Sequence, residues 1–292
     1  MADSQPLVSI IIPCYNHERF VQDCIQSVIN QNYGNIELII IDDGSKDNSV
    51  KAVEELITEC ENRFTRFEFR SRPNKGLSAT LNEGLEWIEG KYVSCIASDD
   101  MLIAHKTAVQ VNYLERNPNA VATFGGVKYI NINNEITGAN YPLKRTYSFR
   151  DIILHEHNIL APTQMLRTKT IRDVGGYKDG ILIEDWYMWL KLSSVGEIHC
   201  QRKILSLYRK HSNNTTKNIE LMHKGRLHVL EHFKSSEYYL LALNQLKWIY
   251  ALQMLESTGN RRLTHIATLI YINPKRTLKG ILNRLKQYIH KV

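Results

Sequence analysis

Apolar runs of strand length alternate with segments of helical period through the first part of this chain. Leu7 to Ile12, Glu37-Leu38-Ile39-Ile40-Ile41 and Tyr92-Val93-Ser94-Cys95-Ile96-Ala97 are short and largely apolar, the pattern of buried strands. Apolar residues at helical spacing predict helices over 19–32, 48–60, 77–88 and 105–116. Strand, helix, strand, helix, strand in that order implies an α/β fold with a mostly parallel sheet covered on both faces. Further on, 203–208 reads as a strand and 186–193 as a helix. Beyond Lys217 the pattern is helical, over 220–233, 238–255, 261–271 and a final segment after Pro274.

The strands end in chemistry. The third runs into Ser98-Asp99-Asp100, the second into Asp42-Asp43-Gly44-Ser45, and the first into Pro13-Cys14-Tyr15-Asn16. In open α/β sheets ligands bind outside the carboxyl ends of parallel strands, so these three turns should line one crevice. Adjacent carboxylates repel, and a divalent cation relieves that repulsion most simply. The alternative is a solvated turn in which one Asp caps the helix beginning near Ile103, and Asp42 could likewise be only a cap.

Composition changes the picture little. The 292 residues, 43% of them apolar, suffice for one large domain with an extension. Five cysteines, an odd number without zinc-ligand spacing, suggest reduced thiols in a cytoplasmic setting. The N-terminal apolar run stops after six residues at Pro13 with no basic stretch ahead of it, and reads as a strand rather than a signal peptide. No apolar stretch is long enough to span a bilayer.

Charge does change it. Of 37 Lys and Arg, eight lie from Ser257 onward, where none of the 30 Asp and Glu lie, so the net positive charge of the chain resides in its tail. There Leu278, Ile281, Leu282, Leu285, Ile289 and Val292 follow helical spacing, surrounded by Lys275, Arg276, Lys279, Arg284, Lys286 and Lys291. A basic amphipathic helix suits an anionic membrane surface. The other reading is a final helix packed on the domain with a solvated basic face. Charge so localised, without a recognised motif, argues against nucleic acid.

Several segments together resemble the glycosyltransferases of family 2, which have the GT-A fold: Val8-Ser9-Ile10-Ile11-Ile12-Pro13-Cys14-Tyr15-Asn16, Ile41-Asp42-Asp43-Gly44-Ser45, Asn74-Lys75-Gly76-Leu77-Ser78, Ser98-Asp99-Asp100, Gly175-Gly176-Tyr177 with Glu184-Asp185-Trp186, and Tyr208-Arg209-Lys210-His211. The resemblance spans roughly residues 5 to 216, and the order of the motifs makes it specific. It implies a nucleotide-sugar donor held by Pro13, Tyr15, Asn16, Asp42, Asn74, Lys75, Asp99 and Arg209, with Tyr15 against the base and Asp42 accepting from its ring N–H. Asp43 instead serves the adjoining turn. Lys75 is otherwise a solvated lysine, and Arg209 would meet a phosphate. Ser98 stands at the first position of the family's Asp-x-Asp motif. By the resemblance Asp100, with His211, would hold a divalent metal, Mn²⁺ or Mg²⁺, while Asp99 meets the ribose or sugar. His211 is otherwise an exposed loop histidine. The remaining histidines, His155 and His157 among them, show no spacing that assigns them to a site.

An inverting transfer needs one further group, a base for the acceptor hydroxyl. Asp185 is the candidate, at the start of a helix after the Gly175-Gly176-Tyr177 turn; a structural cap is the alternative. Glu184 and Trp186 would contact the acceptor, whereas Trp189 lies at core spacing. The resemblance further implies a catalytic domain over 1–217 and a helical extension over 218–292. The expected reaction moves one sugar, most simply from a UDP-sugar, to a polyprenyl-diphosphate-linked saccharide of a bacterial surface polysaccharide (O-antigen or capsule type). The enzyme, with a homo-oligomer as one option, would be peripheral at the cytoplasmic face of the cell membrane. A dTDP- or GDP-sugar donor, a protein or soluble-glycan acceptor, and a catalytically silent nucleotide-binding scaffold are the alternatives.

Overall fold

The computed structural model describes residues 5–257 apart from Lys144 and Asn213. Contacts divide it into two compact units, residues 5–152 with 156–212, and residues 153–155 with 214–257.

The strands are β1 Val8–Cys14, β2 Ile36–Asp42, β3 Arg66–Ser71, β4 Tyr92–Cys95, β5 Met101–Leu102, β6 Ala120–Ile130, β7 Ile136–Asn140, β8 Thr146–Tyr147, β9 Met165–Arg167 and β10 Glu197–Arg209. The helices are α1 Val21–Ile29, α2 Ser49–Glu54, α3 Ile57–Arg63, α4 Leu77–Trp87, α5 Lys106–Arg116, α6 Phe149–Ile153, α7 Thr168–Asp173, α8 Glu184–Ser193, α9 Ile219–Glu231 and α10 Tyr239–Ser257.

One sheet orders the strands β3-β2-β1-β4-β9-β6-β10-β5, with β7 on β6 and β8 on β10. β3, β2, β1 and β4 are mutually parallel, as are β6 and β10. Short β9 is antiparallel to both β4 and β6, so all six of those strands run the same way. The expected mostly parallel α/β sheet is therefore present, with antiparallel additions at β5, β7, β8 and β9. β2 is buried at every position and β1 at all but Pro13, as continuous apolar strands demand when both faces are covered. Ile10 and Ile12 pack with Val21, Ile25 and Val28 of α1 on one face. On the other, Gly84 brings α4 so near that an added Cβ would stand 2.8 Å from Ile11 Cγ2.

Three features depart from the sequence pattern. The helix expected over 48–60 is two, because Leu56 N–H bonds Val53 O in an i→i+3 turn before Cys60 N–H resumes with Leu56 O. The strand expected over 203–208 extends over Glu197–Arg209. The β6–β7 hairpin lies where no strand was expected. All five cysteines are buried and unpaired.

In the second unit α9 and α10 pack together, with the His223 ring stacked 4.1 Å from that of Tyr250. Asn218 caps α9 by accepting from Leu221 N–H at 3.0 Å. Among the described residues no helix is long and apolar enough to cross a membrane. The helix expected over 261–271 and the basic tail lie outside the described residues.

Candidate active site

β1, β2, β4 and β10 bring their exits to one edge of the sheet. Asn16, in the left-handed region at φ 55°, leaves β1 and clasps the β2 exit: its N–H donates to Ser45 Oγ at 2.9 Å and its Oδ1 accepts from Lys46 N–H at 2.7 Å. Gly44 has φ +77°, and a Cβ there would stand 2.7 Å from Asn74 N, so a third turn closes against the same point. Asp43 holds that turn, pairing with Arg72 and accepting from the N–H groups of Lys75 at 2.8 Å and Gly76 at 2.9 Å. Asn74 donates through Nδ2 to Asp43 O at 2.8 Å. Asn16 and Asn74 thus spend their side chains on the loops, while Lys75 is exposed, partly buried Pro13 pairs with Ile41, and Tyr15 is 47% exposed. Asp42 is 0% exposed and gives both carboxylate oxygens to Ser45 N–H, at 3.0 and 2.9 Å. These bonds brace the turn after β2; no helix begins there for Asp42 to cap, since α2 starts at Ser49.

The two acids after β4 part company. Asp100 turns inward, and its Oδ1 accepts from Arg209 N–H of β10 at 2.8 Å. Burial, then the charge of Asp99, pushes its carboxyl well above the usual range. Asp99 turns the other way, with Oδ2 2.9 Å from His211 Nε2. His17 completes the group. Its Nδ1 lies 2.8 Å from Ser98 Oγ, its ring meets that of His211 edge-on at 6.0 Å, and burial lowers its proton affinity. One ligand atom each from His17, Asp99 and His211 lie within 4.8 Å of one another. Against expectation, then, the carboxylate that joins His211 is Asp99 and not Asp100. Arg209 is also corrected. At 0% exposure its guanidinium cannot reach a phosphate; Nε donates to Asp99 O at 2.8 Å, Nη1 to Asn131 O and Asn134 Oδ1, and Nη2 to Asp23 at 3.2 Å. The Phe20 ring lies against both the Arg209 guanidinium, 4.6 Å from its centroid, and the His211 ring at 5.4 Å. Arg209 is a positioning residue that ties the β6–β7 tip, the β4 exit and α1 together.

The acids after Gly175-Gly176-Tyr177 are fixed through α4. Both glycines have positive φ, and Asn82 of α4 receives Tyr177 N–H and donates to Tyr177 O, at 2.8 and 2.7 Å. Glu184 and Asp185 open α8, both partly exposed. Asp185 Oδ1 accepts from Trp186 N–H at 2.6 Å. Burial raises the proton affinity of both acids, and in Glu184 the neighbouring charge of Asp185 adds to it. Trp186 is no acceptor platform: it is 2% exposed, and its Nε1–H donates to Ile152 O at 3.0 Å. Trp189 is buried as expected. The residue that sequence reasoning missed is His17. Its signal was its place directly after Tyr15-Asn16, at the same strand edge as Asp99.

Residues 9–175 match the model of the family described as Glycosyl transferase family 2. The chain belongs to glycosyl transferase family 2. Among curated family relatives, an uncharacterized glycosyltransferase of Haemophilus influenzae is 32% identical over 72% of this chain and 68% of its own length. One from Rickettsia felis is 29% identical over 73% of this chain, which spans only 36% of that relative. Two solved structures share the fold. Staphylococcus aureus TarS 1–349 in complex with UDP-GlcNAc has a TM-score of 0.60 at 16% identity, covering 91% of this chain and 71% of that one. Mannosyltransferase PcManGT from Pyrobaculum calidifontis, in complex with GDP-Man and Mn²⁺, has 0.62 at 14% identity, covering 95% and 84%. These are GT-A transferases, and the sheet of this family 2 enzyme is a GT-A sheet.

The GT-A fold implies a divalent cation, and the residues here fit one. One carboxylate oxygen and two imidazole nitrogens converge from three segments. A cation about 2.1 Å from each donor allows separations up to about 4.2 Å, so side-chain shifts of well under 1 Å close the cluster from its upper bound.

Proposed function

We propose that this family 2 glycosyltransferase is an inverting, metal-dependent enzyme that moves one sugar from a nucleotide sugar, most simply a UDP-sugar, to a lipid-linked saccharide in bacterial surface-polysaccharide synthesis. The observation that carries the reading is that the same unit holds both a candidate cation cluster, His17, Asp99 and His211, and an acid pair of raised proton affinity, Glu184 and Asp185, at the start of α8. A cation bound there supplies charge to the diphosphate as it leaves.

The residues do the rest. Half-exposed Tyr15 offers a ring face to the nucleobase. The acceptor hydroxyl gives its proton to Asp185 as its oxygen bonds the anomeric carbon; the bond from that carbon to the phosphate oxygen breaks, and the nucleoside diphosphate departs with the electron pair. Glu184 stands beside Asp185 at the start of α8, its proton affinity raised by burial and by the Asp185 charge. Residues 1–217 would form the catalytic domain and 218–292 an extension. The basic sequence after Ser257 supports an anionic membrane surface, the cytoplasmic face of the cell membrane, as the place of the acceptor.

Titration of UDP, GDP and dTDP with and without Mn²⁺, on the intact chain and on Asp99→Ala, tests this reading. Metal-dependent binding of one nucleotide, lost in the variant, is expected. Binding of none by the folded protein would leave a silent scaffold.

A further inference from the structure

Ser98 removes a carboxylate from the place where a cation would meet two, yet its hydroxyl is buried and used. Ser98 Oγ lies 2.8 Å from His17 Nδ1. His17 itself is held by its backbone, since its N–H donates to Ser49 Oγ at 2.8 Å and its carbonyl accepts from Phe20 and Val21 N–H, both at 2.9 Å, as α1 begins. Its ring is further confined by Phe20, edge-on at 6.1 Å, and by His211. With Nδ1 engaged by Ser98, the nitrogen left for a ligand is Nε2. Metal-bound histidines show this arrangement: one nitrogen on the ion, the other fixed by a hydrogen bond that sets tautomer and ring angle.

We propose that His17 is a metal ligand standing in for the carboxylate absent at Ser98, and that the resulting set of two imidazoles and one carboxylate selects first-row transition metals over Mg²⁺. The inference rests on the metal site proposed above and goes beyond it, because Mn²⁺ and Mg²⁺ cease to be equivalent. Mg²⁺ favours oxygen donors and retains its water; imidazole favours Mn²⁺, Co²⁺ and Zn²⁺ in rising order. Three protein ligands would leave a bound cation coordination positions for a diphosphate. Ser98 is a positioning residue, acting on the metal through His17.

The test uses the full chain with Mn²⁺, Co²⁺, Zn²⁺ or Mg²⁺ as probe and neither nucleotide nor acceptor, so it stands apart from whether sugar transfer occurs. Calorimetry gives affinities, and pulsed electron paramagnetic resonance of the Mn²⁺ form counts coupled ¹⁴N nuclei. Two nitrogens are expected in the natural protein, with Mn²⁺ bound at least about 100-fold more tightly than Mg²⁺. His17→Ala should show one nitrogen and lose about 10–100-fold in Mn²⁺ affinity, with Mg²⁺ affinity nearly unchanged. Ser98→Ala keeps the ligand atoms and should weaken Mn²⁺ binding while both nitrogens remain, which covers the case in which His17→Ala fails to fold. A single nitrogen in the natural protein, equal affinity for Mn²⁺ and Mg²⁺, or no Mn²⁺ binding without nucleotide would each overturn the proposal.

Discussion

The carboxylate of Asp100 accepts the backbone N–H of Arg209 at 2.8 Å, pinning the end of β10 to the exit of β4. His211 follows two residues later and so arrives beside Asp99. One acid of the pair builds the strand contact and its neighbour faces the cluster. Asp99→Asn should therefore weaken Mn²⁺ binding by at least about tenfold, because a charged ligand is lost. Asp100→Asn keeps an oxygen for Arg209 N–H and should leave Mn²⁺ affinity within about threefold. Calorimetric titration of both variants decides between them, and the reverse order would restore Asp100 as the ligand.

Asp185 must be ionised to take a proton, and burial raises its proton affinity. Because the folded enzyme holds that proton to higher pH than a free carboxylate does, kcat/KM should fall as pH is lowered, along a limb above the ordinary carboxylate range. Asp185→Asn should lose about 10²–10⁴-fold in kcat and bind nucleotide as before. A pH-rate profile for the natural enzyme and single-turnover assays of the variant check both points. Unchanged turnover in the variant would remove Asp185 from the mechanism.

The parallel half of the sheet was legible because β1 and β2 are continuous apolar runs, each ending in a polar turn, a pattern that only a doubly covered strand requires. The cluster was legible only in outline. Which of Asp99 and Asp100 faces it depends on a backbone N–H that lies 109 residues further on, and no local spacing encodes that. Arg209 looked like an anion ligand from its charge, but its partners come from the β6–β7 tip and α1. β6 and β7 carry glycines and asparagines that masked their strand pattern. His17 escaped notice because its partners, Ser98 and Asp99, come from another strand exit.

Trp186 separates packing from recognition. Its indole is buried and donates to Ile152 O, so Trp186→Phe leaves a carbonyl without its donor and a gap in the core. Stability should fall by about 1–3 kcal/mol, read from urea unfolding. The acceptor KM of the folded variant should stay within about twofold, as expected when no substrate contact is removed. A large rise in KM with stability unchanged would place the ring in the acceptor site after all.

Glu37 offers a test of the fold away from the site. It is 0% exposed within β2, yet Oε1 accepts from Ser9 Oγ at 2.6 Å, Glu89 N–H at 2.6 Å and Gly90 N–H at 2.8 Å, and Oε2 pairs with Arg66 at 2.6 Å. The carboxylate thus joins β1, β2, β3 and the turn before β4 at the edge opposite the chemistry. Glu37→Ala removes the acceptor shared by Ser9, Glu89 and Gly90, although Gly90 N–H keeps Ser9 Oγ and Arg66 keeps Glu89, and should cost about 2–4 kcal/mol. Arg66 is about one third exposed, and without it three donors still hold the carboxylate, so Arg66→Ala should cost less, about 1–2 kcal/mol. Equal losses in the two variants, measured by urea unfolding, would mean that the ion pair rather than the buried donors holds this end of the sheet.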